Sequence, residues 1–384
     1  MKRLLISAIT AGVILMLSGG ENNCRMIFSG DRTRLFQNEK EVDFAGCLRK
    51  QLADHPEMEM CDVLKLIYQS AYGPRHALID RSAAYRVFMK EFDEISGVSG
   101  SIFEIVSPDI CRVDLRAWKG AGLPGEWLFQ MFTATAEKFS GGDDLFHSGV
   151  KAAEKVLSGE KFARLKQILQ EYNGKPVHHS AKYRKLYAPA YRIVSTRFIT
   201  VLPVLLAAVE LPEKPVRVIA VDGRAASGKS TLARMLARIM DAGVIHMDDF
   251  FLPPELRTAE RFAQAGGNVH YERFIQEVLP FLRDKKQFSY RIFDCKQMKL
   301  TGRRSVAGSS WRIVEGAYSM HPEFGKYADL NVFFDIAPAE QLRRIRLRNG
   351  EAAAKVFAER WIPFEENHIR NNQVVKRADL ILGR

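Results

Sequence analysis

The sequence predicts two folded parts. A mainly helical α+β domain spans 26–210, and an α/β domain spans 215–384, built on a five-stranded parallel sheet with helices on both faces. Three observations carry this. From residue 216 on, five short apolar runs (VRVIAV, GVIHM, WRIVEG, LNVFFDIA and ADLIL) alternate with the helical stretches KSTLARMLARIM, YERFIQEVLPFL, AEQLRRIRLR and AAAKVFAERW. Strands apolar on both faces and joined by helices pack as a covered parallel sheet. Ahead of them, LPEKP at 211–215 sets two prolines and two charges after the apolar stretch FITVLPVLLAAVE, which marks a boundary. The length, 384 residues, fits two or three domains at roughly 100–200 residues each.

The first 25 residues form an apparent leader. Lys2 and Arg3 precede LLISAITAGVILML, a charged and then apolar layout typical of a secretory signal but short for a membrane span. Two readings are open: a real export or anchor signal, or a start codon assigned upstream of Met26. Asn22 and Asn23 ahead of Cys24 argue against a lipoprotein site.

Helices are expected in the first domain at CDVLKLIYQSAY, SAAYRVFMKEFDEI, GEWLFQMFTATAEKF and KFARLKQILQEY, with a strand or two in IFEIVSPDICRVDL. Two segments are unusual, YQSAYGPRHALID and HHSAKYRKLYAPAYRIV. They gather Tyr68, Tyr72, His76, His178, His179, Tyr183, Tyr187 and Tyr191 with Arg75, Arg184 and Arg192. Such a set suits an acceptor-binding or regulatory module, a second catalytic domain, or a nucleic-acid reader that stacks bases on aromatics. It also suits a helical packing domain with tyrosines at its surfaces. His178-His179 is a poor metal pair without a further ligand.

The net charge of +12 favours an anionic partner, either nucleic acid or a phosphorylated small molecule. The basic residues are spread along the chain, so a nucleic-acid partner is not expected. Five cysteines, an odd number with no CxxC pair, exclude a disulfide framework and a zinc cluster. They point to a reducing compartment.

The chemistry concentrates in DGRAASGKST, between the first strand and first helix of the second domain. Gly223, Gly228, Lys229 and Ser230 fit G-x-x-x-x-G-K-[ST]. A loop that wraps phosphates turns its backbone N–H groups inward, which small residues permit, and the helix N-terminus adds a positive dipole end. The phosphate-binding stretch is therefore expected to be Gly223, Arg224, Ala225, Ala226, Ser227, Gly228, Lys229, Ser230 and Thr231, with Lys229 reaching the β/γ-phosphates of a nucleotide and the Ser230 hydroxyl a ligand for Mg²⁺. After the second strand, Asp248 in HMDDFFLPPELR stands where a strand-end carboxylate faces the ligand crevice. After the third, Glu315 in IVEGAY is an acidic group among apolar neighbours, costly unless used. AEQLRRIRLRNG crowds Arg343, Arg344, Arg346 and Arg348. Those arginines form either a solvated helix or a lid over a moving phosphoryl group.

DGRAASGKST, VIHMDDFFLP, GGNVHYERF, SYRIFDC, IVEGAYSMHPEF and the RNGE segment followed by ERWIPFEE together resemble the uridine kinase-like group of P-loop kinases. The resemblance covers 215–384 and leaves the first domain outside it. It implies an ATP- and Mg²⁺-dependent kinase that phosphorylates a hydroxyl of a small molecule, most readily a nucleoside. A vitamin precursor or sugar phosphate is the alternative acceptor, and a non-catalytic nucleotide sensor with an RNA- or partner-binding N-terminal domain is a further one. The resemblance makes Asp248 the general base, Ser230 and Glu315 the metal side, and Arg344 and Arg348 part of a catalytic lid. Tyr271, Arg273, Tyr290, Arg291, Asp294 and His321 fall where acceptor-binding segments lie. ATP and Mg²⁺ are cytoplasmic supplies, so the expected location is cytoplasmic, with the chain starting near Met26.

Overall fold

The structure, a computed structural model, describes residues 26–27, 43–74 and 80–383. The apparent leader, Cys24, Arg75 and His76 lie outside the described residues. The described parts fall into two compact units that divide at Leu202/Pro203, ahead of LPEKP. A two-residue strand, β1 (Met26–Ile27), belongs to the second unit.

The first unit runs α1 (Phe44–Asp54), α2 (Met60–Tyr72), α3 (Arg81–Glu94), β2 (Phe103–Ile105), β3 (Ile110–Asp114), α4 (Leu115–Gly120), α5 (Gly125–Lys138), α6 (Asp143–Val156), α7 (Gly159–Glu171), α8 (Ala181–Tyr187) and β4 (Tyr191–Ser195). The strands form an antiparallel sheet in the order β2-β3-β4. α2 buries Val63, Leu66 and Ile67, which the helical period sets on one side, in a core shared with Leu48, Ile110, Phe146 and Leu165.

The tyrosine- and histidine-rich segments close a polar network inside this unit. Asp62 is fully buried and accepts from Ser180 N (2.9 Å) and Ser180 Oγ (2.8 Å). His179 Nδ1 stands 2.9 Å from Asp62, and its Nε2 stands 2.6 Å from the Tyr191 hydroxyl. Burial alone would raise the Asp62 carboxyl; the bonds from His179 and Ser180 outweigh it and lower the pKa. Tyr183 stacks on His179 at 4.2 Å, and the Arg112 guanidinium lies 4.5 Å from the Tyr191 ring centre. Gln69 and Gln51 accept from Arg112, so this buried cation is fully engaged.

The second unit continues through α9 (Leu202–Val209), β5 (Arg217–Gly223), α10 (Lys229–Met240), β6 (Gly243–His246), α11 (Ala259–Ala263), α12 (Tyr271–Glu277), β7 (Phe288–Asp294), β8 (Lys299–Val306), β9 (Trp311–Glu315), β10 (Leu330–Phe334), α13 (Pro338–Asn349), α14 (Glu351–Val356), α15 (Ile362–Asn371), α16 (Val374–Arg377) and β11 (Leu380–Leu382). The five expected strands form a parallel sheet flanked by helices, in the order β11-β10-β5-β9-β6, and β1 adds to the β11 edge. β6 and β9 lie to one side of β5, and β10 and β11 to the other. Such a reversal opens a crevice beyond the carboxyl ends of the strands.

Two features depart from the sequence reading. The stretch YERFIQEVLPFL is not one helix: α12 stops at Glu277 and a 3₁₀ turn follows at Leu279–Phe281, because Pro280 cannot continue the α-helical hydrogen bonds. β7 and β8 form an antiparallel hairpin that no apolar run announces, since most of β8 is exposed. Among the described residues, no helix is long and apolar enough to cross a membrane. Cys47, Cys61, Cys111 and Cys295 are free thiols.

The Asp62 network yields a stability prediction. Asp62→Ala strands the His179 and Ser180 donors without an acceptor, each at about 1–3 kcal/mol. The first unit should lose roughly 3 kcal/mol or more, read as a lower denaturation midpoint with α2 and β4 amides losing hydrogen-exchange protection. An unchanged midpoint would show the network to be idle.

Candidate functional site

The sheet register brings the site together. Gly223 pairs with Phe334, Val221 with Glu315, and Glu315 with His246, so β5 and β10 end level, and β9 and β6 end level with each other two residues short of them. The loop leaving β5 turns sharply at Gly223 (φ +141°), where a Cβ would stand 2.1 Å from the Phe334 carbonyl oxygen. Only glycine fits there. Gly228 takes φ +114° as the residue capping α10. Lys229 is buried and folds back over the loop, donating to the carbonyls of Gly223 (2.7 Å) and Arg224 (2.8 Å). The Ser227 hydroxyl is buried in the loop with no hydrogen-bond partner among the described residues.

Glu315 ends β9 between two groups. Ser230 Oγ donates to its Oε2 at 3.0 Å, and His246 Nδ1 is 2.5 Å from its Oε1. A hydroxyl and a carboxylate side by side are an oxygen donor set that suits a hard cation such as Mg²⁺. The residues present therefore fit that ion, with His246 as an outer partner.

The paired aspartates after β6 have separate environments. Asp249 is buried and spent: it accepts from Arg304 Nε (2.6 Å) and Tyr290 Oη (3.0 Å), and its backbone carbonyl accepts from Arg273. The Asp248 side chain remains accessible on the wall of a cleft of about 710 Å³. Protein crowds its other sides. That desolvation, with Glu315 nearby, raises its pKa above the ordinary carboxylate value against the pull of Lys229.

Ala225, Ala226, Gly228, Lys229, Ser230 and Thr231 line the same cleft, as do Glu315, Arg344 and Arg348. The arginine positions follow helical spacing. Arg344 and Arg348 share the cleft face of α13, and Arg344 approaches the carbonyls of Ala226 and Ser227 at 3.4 Å. Glu340 pairs with both Arg343 and Arg344 (2.7 Å), and Arg346 pairs with Glu351. Arg224, in the middle of the loop, turns away to Glu366 (2.6 Å) and Asp335.

The residues expected on the acceptor side are placed differently. Tyr290 is fully buried and holds Asp249 and the His246 amide. Arg273 is buried beneath the Asp249 backbone. Arg291 pairs with Glu277 on the surface, and Asp294 caps the hairpin turn through the amides of Lys296 and Gln297. Tyr271 stacks on His321 at 5.0 Å. His321 is buried, with its pKa pushed down to about 4 by burial and then by His368. None of the six lines the cleft. Tyr290, Arg273 and Tyr271 are bulky amphipathic groups whose polar ends meet protein partners, so they support the wall from behind.

In their place the cleft shows Phe251, Arg257, Phe262, Asn268, Cys295, Met298, Tyr318, Phe357, Trp361 and Glu365. Asn268 is buried and lines the cleft, with its side-chain amide acting on the neighbouring Tyr318 hydroxyl. Its place in GGNVHYERF was the available sequence signal. Phe357 and Trp361 bound a π-helical turn between α14 and α15. Irregular turns of this kind often mark functional sites.

No protein-family model matches the chain, and no curated protein matches it. Solved structures do. The chain is similar to a possible uridine kinase from Bacillus stearothermophilus at 20% identity and TM-score 0.37, over 46% of this chain and 93% of that one. It is similar to a candidate fructose transport system kinase from Silicibacter sp. at 21% identity and TM-score 0.34, over 44% and 90%. A D-glycerate 3-kinase from Cryptococcus neoformans matches at 14% identity and TM-score 0.28, over 40% and 78%.

Glu365 gives a pH-dependent prediction. Desolvation lifts its carboxyl from the ordinary value of 4.5 to about 7, against the lowering pull of Lys229 and the Ala225 amide. The folded state therefore binds the Glu365 proton more tightly than the unfolded chain. Stability from this group is present at low pH and is lost as pH rises from the unfolded value through 7. Glu365→Gln should raise the melting temperature by several degrees at pH 8 and by little at pH 5, as read by thermal unfolding. An equal shift at both pH values would refute the burial of a titrating carboxyl.

Proposed function

We propose that the second unit is a kinase that transfers the γ-phosphoryl group of ATP to a hydroxyl of a small molecule. A nucleoside is the acceptor favoured by the sequence resemblance; a vitamin precursor or sugar phosphate shares the mechanism. The observation that carries this reading is the meeting, in one cleft, of the glycine loop with Lys229 and of Asp248, the one of two neighbouring aspartates left without a protein partner among the described contacts. The division into an N-terminal domain and a kinase domain belongs to the same proposal, as does a cytoplasmic setting, where ATP and Mg²⁺ are supplied.

The loop amides and Lys229 bind the nucleotide phosphates, Lys229 exchanging its two carbonyl partners for phosphate oxygens. Ser230 and Glu315 hold Mg²⁺, which when bound neutralises phosphate charge. Asp248 accepts the proton of the acceptor hydroxyl as its oxygen attacks the γ-phosphorus in line, and ADP departs. Its raised pKa brings the base nearer to working pH. Arg344 and Arg348 face the negative charge that spreads over the transferring group. Phe251, Phe262 and Trp361 give the cleft apolar surface for the body of the acceptor.

A panel of nucleosides, vitamin alcohols and sugar phosphates tested for coupled ADP release decides the acceptor. Binding of ATP with no ADP formed on any member would favour the sensor reading. Lys229→Ala should leave the fold intact and reduce turnover by about 10²–10³.

The aspartates separate more sharply. Asp248→Asn keeps size and polarity but removes the base, so kcat should fall by roughly 10²–10⁴ with ATP affinity nearly unchanged. Wild-type kcat should rise with pH through a midpoint above the ordinary carboxylate range, since only the ionised form accepts the proton. Asp249→Asn breaks the buried Arg304 pair, so its main effect should be a lower melting temperature. Near-normal kcat in Asp248→Asn beside a dead, folded Asp249→Asn would reverse the assignment.

A further inference from the structure

The phosphate loop already holds an anion, and that anion belongs to the chain. Glu365, in the first turn of α15, is buried, lines the cleft, and accepts a hydrogen bond from the Ala225 amide at 2.9 Å. Its neighbour Glu366 turns the other way, to the Arg224 guanidinium. One pair of adjacent carboxylates thus grips the loop from both sides. Glu366 fastens the Arg224 side chain, and Glu365 takes an amide that the nucleotide reading assigns to phosphate.

The groups facing Glu365 come from every wall. Lys229 on α10 offsets its charge, whereas Asp222 on β5 and Asp248 after β6 repel it. Tyr318, after β9, is buried within its field, and His368 on the same helix faces Asp222. The balance rests on Lys229, the largest lowering influence on Glu365. Nucleotide phosphates would engage Lys229 and bring further negative charge. The Glu365 carboxylate would then lose its amide and its cation together, among two other carboxylates. Its protonated form is the one that survives such a change.

We propose that Glu365 is a tethered occupant of the phosphate loop, which seats the Ala225 amide in the free protein and yields it to nucleotide phosphates with uptake of a proton. The proposal rests on the reading that this loop binds nucleotide. It makes Glu365 a positioning residue: it keeps the loop open and its amides aligned before binding, and it makes affinity depend on pH. Raising the pH ionises Glu365, strengthens the internal competitor and adds repulsion, so nucleotide should bind more weakly at pH 8 than at pH 6.

The test is calorimetric titration of MgATP into the full chain at pH 6 and pH 8, repeated in buffers of different ionisation enthalpy. Wild type should take up a substantial fraction of a proton at pH 8, where MgATP itself is fully ionised. Glu365→Gln keeps the shape and an oxygen for the Ala225 amide but carries no charge. It should bind MgATP on the order of tenfold more tightly than wild type at pH 8, match it at pH 6, and take up markedly less proton. Equal affinities at pH 8 with unchanged proton uptake would overturn the role of Glu365 while leaving the nucleotide site standing. Failure of wild type to bind MgATP at either pH would overturn both. Should Glu365→Gln not fold, wild-type proton uptake decides: none at pH 8 rejects the proposal.

Discussion

The buried carboxylate of Asp222 is the fixed point of the second unit. It stands one residue before the loop and accepts from the amides of Gly223 (2.7 Å), Tyr318 (3.1 Å) and Met320 (2.8 Å), with His368 Nε2 3.5 Å away. Burial alone would drive its proton on, yet His368 and the amides outweigh that and lower its pKa. One charge thereby ties together the end of β5, the turn after β9 and helix α15. Those three segments carry the glycine loop, Tyr318 and Glu365. A buried ion of this kind costs several kcal/mol to desolvate, and its amide and imidazole partners are what make it tolerable. The same dependence fixes the geometry, because moving any one segment leaves the carboxylate short of a partner.

The division of labour between Asp248 and Asp249 follows from the same economy of charge. Two adjacent carboxylates at a strand end cannot both stay ionised and unpaired in a crowded cleft. The hairpin β7–β8 resolves this by delivering Arg304 and Tyr290 to Asp249. Asp248 is left with repulsion from Glu315 and Asp249, balanced by Lys229 and His246. The hairpin, mostly exposed along β8, thus serves the cleft by holding the strand-end turn so that one carboxylate faces inward.

The fold of the second unit was legible because each strand is a short apolar run and each helix carries its own period. Parallel strands buried on both faces cannot be anything else at that length. That the glycine loop, Asp248, Glu315 and the Arg344/Arg348 face share one cleft follows for a related reason: their positions are set locally, by a strand end or a helical turn. The rest of the cleft wall was not legible. Tyr290 and Asn268 are both polar groups in polar-looking segments, yet Tyr290 is turned inward to Asp249 while Asn268 lines the cleft beside Tyr318. That choice depends on which long-range partner reaches each residue first, and no local pattern encodes it. Glu365 escaped notice for the same reason, since its partner lies 140 residues earlier in the chain.

In the first unit, the residues that looked most like a binding surface are largely consumed by one another. Tyr191, His179 and Asp62 form a chain of hydrogen bonds, Arg112 stacks on Tyr191, and Tyr183 covers His179. The pKa of His179 is lowered, by burial first, which favours the neutral ring that this chain requires: one nitrogen donating to Asp62 and the other accepting from Tyr191. Aromatic and basic residues that pair internally in this way present little to a nucleic acid, whose stacking platforms must be open. In HHSAKYRKLYAPAYRIV, His179, Tyr183 and Tyr191 thus serve a satisfied interior, while Lys182, Arg184 and Lys185 are exposed. A small sheet packed on helices buries polar side chains only when every donor finds an acceptor, and this segment supplies both.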